Sequence, residues 1–214
     1  MSGLDAGFWM TAVDGLVEAF AAQETALCGL DGAIGDGDHG TSMLLGFREA
    51  QASLRGHPPT APGQVWVRTG EAFVDRVGGV TGMVFGSMFS AAGRQAADAA
   101  RLDSAALHAM FAAGLAAVRR VGKVKEGDKS MLDALSPAVQ ALEAAARGGL
   151  STADALGEAA RAAEAGRDST KEMEARVGRA RYQARKGAGH VDAGAASVCV
   201  LFQVLGRAAA RYSS

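Results

Sequence analysis

Residues 33–43 read AIGDGDHGTSM and form a glycine-rich break between two helical patterns. Asp36 and Asp38 stand one glycine apart, His39 follows, and Asp31 lies five residues upstream of Asp36. Carboxylates this close repel one another unless a cation or strong solvation offsets their charge. The alternative interpretation is a solvated turn in which each aspartate caps a helix, and this explanation fits one aspartate better than three.

The residue types around the break favour a hard cation. Mg²⁺ takes oxygen ligands and keeps positions for water and for substrate phosphates, so two or three carboxylates in one loop suit Mg²⁺ with a nucleotide. A Ca²⁺-binding EF-hand is excluded: in a loop that opened at Asp36, Gly40 would take the fifth position and Phe47 the place of the bidentate glutamate. The sequence therefore predicts a magnesium site at Asp31, Asp36 and Asp38.

Outward from this break, the chain is rich in alanine and other helix formers, and alternating β-branched residues are almost absent. An all-α fold is expected, with almost no sheet. Asp103 and Ser151 are placed to cap two of the helices. Pattern counting predicts about eight helices, near residues 5–28, 40–55, 63–77, 81–98, 103–121, 130–147, 151–184 and 191–212.

Glycines concentrate at the junctions between these helices, in IGDGDHG, VGGVTG, EGDKS, KGAGH and DAG. Glycine permits tight turns and close approach of the backbone to a ligand, and helix N-termini attract phosphate. The junctions are therefore typical of a phosphate-binding end of a helical bundle. Ordinary helix caps remain the alternative for any single junction.

Residues 122–130, GKVKEGDKS, nearly match a phosphate loop of the Walker type. Asp128 stands between the glycine and the lysine, and no buried strand precedes the motif, so a P-loop fold is rejected. For Lys129 and Ser130, contact with a nucleotide remains the alternative, and the prediction is the more common one for such a pair, a solvated helix start. Downstream, basic residues either complement a helix dipole or direct one arginine towards a phosphate: Arg176, Arg179, Arg181, Arg185 and Lys186.

Composition bounds the remaining possibilities. The 214 residues carry a formal net charge of −1 and no long basic block, which argues against nucleic acid or an anionic membrane as partner. Cys28 and Cys199 lie in apolar settings, so no disulfide is expected. No signal sequence is recognised, and no charge-free apolar run reaches the roughly 18 residues of a membrane span. A single cytoplasmic domain over residues 1–214 is therefore expected.

Four motifs in order, spread over nearly the full length, resemble the nucleotide-binding L subunit of dihydroxyacetone kinases, the DhaL family. IGDGDHGTSM resembles its metal loop, and GGVTGMVFGSMF resembles its glycine-rich phosphate turn. GDKSMLDALSPA resembles the central motif, and GRARYQARKGAGHVDAGAAS resembles the C-terminal signature. The resemblance implies an antiparallel eight-helix barrel that binds ADP or ATP at one end through two Mg²⁺ ions.

The resemblance also implies a role for each matching position. The metal ligands would be Asp31, Asp36 and Asp38. The residues facing the phosphates and their surroundings would be His39, Gly40, Thr41, Ser42, Val80 and Thr81. Gly122 and Met131 would lie nearer the adenine, and Arg179 would be the catalytic group that pairs with phosphate. The residues that close the site would be Asp192, Ala193 and Gly194.

In this family the sugar is held by a separate K-type subunit, so the chain would be half of an enzyme. Its bound nucleotide would be rephosphorylated by a phosphotransferase-system M-type donor or replaced by exchange with free ATP. At three positions the chain departs from the family, which usually has Asn, Ser and Pro where this sequence has Ser42, Thr81 and Ala193. These differences leave the phosphate chemistry in place but the identity of the acceptor open. A four-carbon ketose such as erythrulose is one candidate. Two other interpretations are a non-catalytic ADP/ATP sensor of the same fold and the nucleotide domain of fatty acid kinase. His39 argues against the second.

Overall fold

Eight α-helices make up most of the chain that the computed structural model describes, residues 3–33, 35–182 and 184–212. Within those ranges the only extended pairing is an isolated bridge between Leu4 and Leu102, so the predicted all-α class is confirmed. The helices are α1 Ala6–Gly32, α2 His39–Gly56, α3 Pro62–Arg76, α4 Gly79–Gln95, α5 Ser104–Gly122, α6 Leu132–Arg147, α7 Thr152–Ser169 and α8 Ala193–Tyr212.

The helices form a closed ring. Each helix packs against the next one in the chain, and α8 packs back against α1. All links except the longer one between α7 and α8 are short, and consecutive helices that pack on each other through short links run antiparallel. Successive links therefore alternate between the two ends of the ring. The predicted antiparallel eight-helix barrel is confirmed. The links α1–α2, α3–α4, α5–α6 and α7–α8 share one end, which we call the site end.

Aromatic side chains fill much of the interior of the ring. Trp66 stacks on Phe89 with 5.2 Å between ring centroids, and Phe47 meets Phe73 edge to face at 5.1 Å. All four are almost fully buried. Truncating such a residue to alanine typically costs about 3–5 kcal/mol, so this packing is a main source of the ring's stability.

The helix starts show why the sequence breaks where it does. The Asp103 carboxylate accepts a hydrogen bond from the Ala106 amide at 2.8 Å, and the Ser151 hydroxyl accepts one from the Asp154 amide at 3.1 Å. Both predicted caps are confirmed. A side-chain cap satisfies an otherwise unpaired amide and is worth about 1 kcal/mol.

The two chain ends described meet at the end of the ring opposite the site end. The Tyr212 hydroxyl donates to the Asp5 carboxylate at 2.8 Å, and the Arg101 guanidinium donates to the same carboxylate at 3.1 Å. These contacts join α8, the start of α1 and the α4–α5 link. They add a polar tie to the apolar packing that closes the ring.

The helix predicted over 151–184 is wrong in its second half, and Gln183 of that range lies outside the described residues. The α7 helix ends at Ser169, and the chain continues through the 3-10 helices Thr170–Glu172, Arg179–Tyr182 and Ala184–Gly187. The Thr170 hydroxyl donates to the Arg167 carbonyl at 2.6 Å, and Gly178 has a φ of +65°. A residue with left-handed backbone cannot lie inside an α-helix, so the chain does not resume an α-helix across Gly178.

By length and mean hydropathy alone, 1.5 over its most apolar window, α8 could cross a membrane. In the folded chain 67% of that window is buried inside the protein, as expected of a core helix that contacts α1, α6 and α7. Its longest stretch without charge ends at Arg207, short of the span length considered from the sequence.

Candidate functional site

Three carboxylates come together at the site end, and we call Asp31, Asp36 and Asp38 the acidic triad. One oxygen from each lies within 4.8 Å of the others. Asp31 belongs to the last turn of α1, which runs beyond the predicted end at residue 28. Its Oδ2 accepts hydrogen bonds from the Gly37 amide at 2.8 Å and the Asp38 amide at 3.1 Å, so it folds the following loop around itself.

The geometry fits a hard cation. The donors are all carboxylate oxygens, Asp36 and Asp38 are exposed, and Asp31 is half-buried, which leaves positions for water and phosphate around an ion. The capping alternative is not realised at Asp38: it precedes α2, but its side chain makes no capping hydrogen bond. Repulsion among the three neighbouring carboxylates is a cost that a divalent cation would offset.

Arg179 reaches the acidic triad from the α7–α8 link. Its Nη1 lies 2.7 Å from Asp36 Oδ2, with side-chain exposures of 70% and 40%. An ion pair this exposed contributes only about 0–1 kcal/mol, so it does not fix the arginine by itself. What it establishes is placement: a guanidinium, which suits phosphate oxygens, stands directly beside the proposed metal ligands.

The first turn of α2 continues from the acidic triad. His39 is only 8% exposed, and its Nε2 lies 2.8 Å from the Ser197 hydroxyl of α8. Burial lowers the pKa of His39 below its usual range, although Asp31 and Asp38 act in the opposite direction. A neutral imidazole is therefore favoured, and it ties α2 to α8 beneath the site.

Gly40 allows α2 to start this close to α1. A Cβ added at Gly40 would lie 2.2 Å from the Glu24 carbonyl oxygen, closer than any real contact. Next to it, the Thr41 hydroxyl donates to the Glu24 carboxylate at 2.9 Å, and Ser42 is half-buried with its amide bonded to the Asp38 carbonyl. The predicted phosphate set on α2 therefore begins at the edge of the acidic triad.

The start of α4 offers a second helix N-terminus at the same end. Gly78 is the capping residue, so no side chain caps this helix, and Gly79 has a φ of +68°. Val80 is 69% exposed and Thr81 is half-buried. Uncapped amides at a helix N-terminus can receive an anion. Val80 and Thr81 share the site end with the acidic triad through the topology of the ring.

Met131, Asp192 and Gly194 meet where α6 and α8 begin. A Cβ added at Gly194 would lie 3.2 Å from Met131 Cβ and 3.1 Å from an Asp192 carboxylate oxygen. That carboxylate caps α8 by accepting from the Ala195 amide at 2.7 Å, and Ala193, the first residue of α8, is buried. Burial raises the pKa of Asp192 to about 6.

Gly122, predicted to lie near the adenine, ends α5 against another part of the site end. A Cβ added there would lie 3.2 Å from a methyl group of Val124 and 4.0 Å from one of Val84 on α4. Its surroundings are therefore apolar, as a purine face requires. Gly122 therefore lies beside α4, whereas Met131 lies beside the start of α8.

Sequence reasoning missed the burial of charged residues around the start of α6, including Lys129 in the α5–α6 link and Asp133 in the first turn of α6. Lys129, predicted to be solvated, is only 2% exposed, and its Nζ donates to the carbonyls of Thr170 and His190 at 2.5 Å each. Asp133 accepts from the amides of Gly127 and Ser130 at 2.6 and 2.8 Å. Burial lowers the pKa of Lys129 below its usual range, opposed by Asp192 and Glu172. The only sequence signal was the compact GDKS motif itself.

Comparison with known proteins indicates the family of the chain. Residues 33–207 match the model of the DAK2 domain family. The chain is 35% identical over 201 residues to the ADP-binding subunit DhaL of the PEP-dependent dihydroxyacetone kinase of Escherichia coli K12, covering 94% of each chain. It is 34% identical over 192 residues to the D-erythrulose kinase of Mycolicibacterium smegmatis, covering 88% of this chain and 33% of that one.

A solved structure shows the same architecture. The dihydroxyacetone kinase of C. freundii, in complex with AMP-PNP and Mg²⁺, superimposes with a TM-score of 0.74 at 26% sequence identity. The match covers 97% of this chain and 35% of that longer one. With a family model that spans most of the sequence, the chain belongs to the DAK2 domain family, and its resemblance to the L subunits of dihydroxyacetone kinases is confirmed.

Proposed function

We propose that this chain is the nucleotide-binding subunit of a short-ketose kinase. It would hold ADP or ATP through Mg²⁺ and pass a phosphoryl group to the terminal hydroxyl of dihydroxyacetone or a related ketose on a separate K-type subunit. The observation that carries the proposal is the acidic triad, with three carboxylate oxygens within 4.8 Å of one another and Arg179 2.7 Å from Asp36. Support comes from the ADP-binding subunit of E. coli and from the AMP-PNP and Mg²⁺ of the C. freundii complex.

Each part of the site end has a separate role in the proposed function. Asp31, Asp36 and Asp38 would hold the metal, with two ions proposed, and bound metal supplies charge neutralisation for the phosphates. The starts of α2 and α4 would bind phosphate oxygens through Thr41, Ser42 and Thr81 together with free amides.

The remaining groups complete the proposed site. Gly122 and Met131 would face the adenine, and the turn formed by Asp192, Ala193 and Gly194 would close the site beside Met131. Arg179 would pair with the nucleotide phosphates and neutralise their charge as the phosphoryl group is transferred, since phosphoryl transfer depends on positioning and electrostatics rather than on covalent protein chemistry.

The acceptor and the phosphoryl source are also proposals. The relative from E. coli is named for a PEP-dependent kinase, which supports recharging of bound ADP by a phosphotransferase-system M-type protein. The relative from M. smegmatis is named for D-erythrulose, which supports a four-carbon acceptor. That relative is about three times as long as the region it shares with this chain. We propose a cytoplasmic complex with a K-type subunit and no nucleic-acid or membrane partner.

The nucleotide content of the purified chain tests this function. The chain is purified without added nucleotide and acid-extracted, and ADP and ATP per chain are measured before and after a chelator wash. One ADP per chain, released only by the chelator, is expected if nucleotide is held by metal and recharged in place. An empty chain that takes up Mg-ATP reversibly indicates exchange with free ATP. A chain that binds neither nucleotide contradicts the proposal.

Turnover separates catalysis from sensing. The chain is mixed with a K-type subunit, a short ketose and either ATP or a phosphotransferase-system donor, and ketose phosphate is measured. Formation of product is expected. Nucleotide binding without turnover, with any K-type subunit tried, would favour the non-catalytic sensor.

A further inference from the structure

The link between α7 and α8 leaves the ring and returns to it at one place. The Asp192 amide donates to the Thr170 hydroxyl at 3.0 Å, and the Gly189 amide donates to the Lys171 carbonyl at 2.8 Å. The two ends of the link are therefore bound to each other. We call Thr170, Lys171, Gly189 and His190 the neck of this link.

Lys129 bridges the two sides of the neck. Its ammonium donates to the Thr170 carbonyl on the outgoing side and to the His190 carbonyl on the returning side, at 2.5 Å each. The side chain is 2% exposed, and its backbone has a φ of +62°, which is uncommon for a residue with a side chain. Hydrogen bonds donated by a charged group are stronger than those between neutral groups, so the ammonium of Lys129 holds the two sides of the neck together.

The residue before Lys129 makes a second tie. The Arg176 amide donates to the Asp128 carbonyl at 3.1 Å, and the Asp128 side chain, which is buried, accepts from the Lys125 amide at 2.9 Å. The α5–α6 link thus contacts the α7–α8 link at the neck and again three residues before Arg179. Beyond Arg176, the ion pair between Arg179 and Asp36 is exposed and weak.

We propose that Lys129 is a positioning residue for Arg179. By bonding both sides of the neck, it sets the direction in which the α7–α8 link leaves the ring, and this direction places the guanidinium beside the acidic triad. A direct contact of Lys129 with substrate is not part of the proposal, since its ammonium is bonded to the carbonyls of Thr170 and His190. The proposal rests on the proposed function in one respect, the pairing of Arg179 with nucleotide phosphate.

A double-mutant cycle on Mg-ADP affinity separates positioning from a merely structural role. The variants are Lys129→Met, Arg179→Ala and the double substitution, measured by calorimetry with Mg-ADP as the probe. Lys129→Met is expected to raise the dissociation constant about tenfold in the wild-type background and less than about twofold with Arg179→Ala, because coupled residues are not additive. An equal rise in both backgrounds, or no rise in the wild type, overturns the proposal.

The matched control is Lys125→Met, which removes an exposed ammonium from the same link while keeping the backbone contact to Asp128. It is expected to leave the dissociation constant within about twofold, as surface substitutions usually do. A rise equal to that of Lys129→Met would show a general effect of charge and overturn the assignment. If Lys129→Met does not fold by circular dichroism, Lys129→Gln, which keeps one donor, goes through the same cycle.

Tryptic cleavage gives a readout that does not depend on nucleotide. Cleavage within residues 171–186 is followed by mass spectrometry, and Lys129→Met is expected to speed it at least about fivefold over Lys125→Met, because a released link opens more often. An unchanged rate of cleavage would contradict the proposal that Lys129 holds the two sides of the neck together. If wild type binds no Mg-ADP, the proposed function fails, and the cleavage rates still decide whether Lys129 holds the link.

Discussion

At the scale of single residues, Asp36 lies close to both other carboxylates and a guanidinium at the site. It shares the acidic triad with two carboxylates and pairs with Arg179 at 2.7 Å. Asp36→Asn keeps the size of the side chain and removes its charge. We expect Mg-dependent ADP binding to weaken by more than about 100-fold, since loss of even the outer partners of a metal ligand costs about 10–100-fold. Titration calorimetry with and without Mg²⁺ measures it.

Stability is the control for this substitution. The ion pair that is lost is exposed, so the free energy of unfolding should change by less than about 1 kcal/mol. Asp98→Asn removes an exposed carboxylate from the link after α4, at the opposite end of the ring, and should leave ADP binding intact. Retained Mg-dependent binding by Asp36→Asn, or its loss in Asp98→Asn, would contradict the assignment of the metal ligands.

What the sequence could predict at this scale depends on how local the interaction is. The aspartates of the acidic triad lie within eight residues of one another, so their spacing alone indicated a cation site. Lys129 was misjudged because its partners, Thr170 and His190, lie far along the chain and accept through backbone carbonyls. A backbone acceptor leaves no trace in the residue types, so only the folded structure could reveal it.

At the scale of elements, the close contact of α1 and α2 depends on Gly40. An added Cβ would lie 2.2 Å from the Glu24 carbonyl, a backbone atom that cannot rotate away. Gly40→Ala should therefore push the two helices apart and lower the free energy of unfolding by about 2–4 kcal/mol. Urea unfolding followed by circular dichroism measures the change.

Gly29 provides the matched comparison, since it lies in α1 and an added Cβ would meet nothing within 4 Å. Gly29→Ala should raise the free energy of unfolding by about 0.5–1 kcal/mol, because alanine favours helix. Equal effects of the two substitutions would show that helix propensity, and not the contact with α1, decides the outcome at Gly40.

Helices were predictable where packing and propensity agree. Seven of the eight predicted segments correspond to one helix each with modest shifts at their ends, and Asp103 and Ser151 cap where expected. The segment 151–184 failed because alanine- and arginine-rich composition favours helix throughout, whereas long-range contacts stop α7 at Ser169. The bond from the Asp192 amide to the Thr170 hydroxyl is one such contact, and it links positions that no local window compares.

At the scale of the whole molecule, closure of the ring can be weakened at one hydroxyl group, that of Tyr212, which donates to Asp5 and accepts from Arg101. Tyr212→Phe removes the donor to Asp5 and should lower the free energy of unfolding by about 1 kcal/mol at neutral pH. The hydrogen bond from the Phe8 amide has the largest effect on the pKa of Asp5 and lowers it below its usual range. The hydrogen bond from Tyr212 and the charge of Arg101 lower this pKa further. A group with a lowered folded-state pKa contributes stability above its unfolded pKa and loses it as the pH falls through the folded value.

The difference between wild type and Tyr212→Phe should therefore shrink in acid, at pH values below the ordinary range of an aspartate. Thermal unfolding at neutral and at acidic pH measures it. A difference that stays constant with pH would mean that the hydroxyl acts without the Asp5 carboxylate.

Because the contact between Asp5 and Tyr212 brings the two described ends together, the order of the helices along the chain could be changed without changing their positions in the ring. Because each helix touches its two neighbours in the ring and the two described ends lie together, a short peptide could join them without crossing the interior. New termini could then open between α6 and α7, at the turn around Gly149, where φ is +67° and the chain is exposed. Such a circular permutant would keep every helix contact while changing which helices are synthesised first.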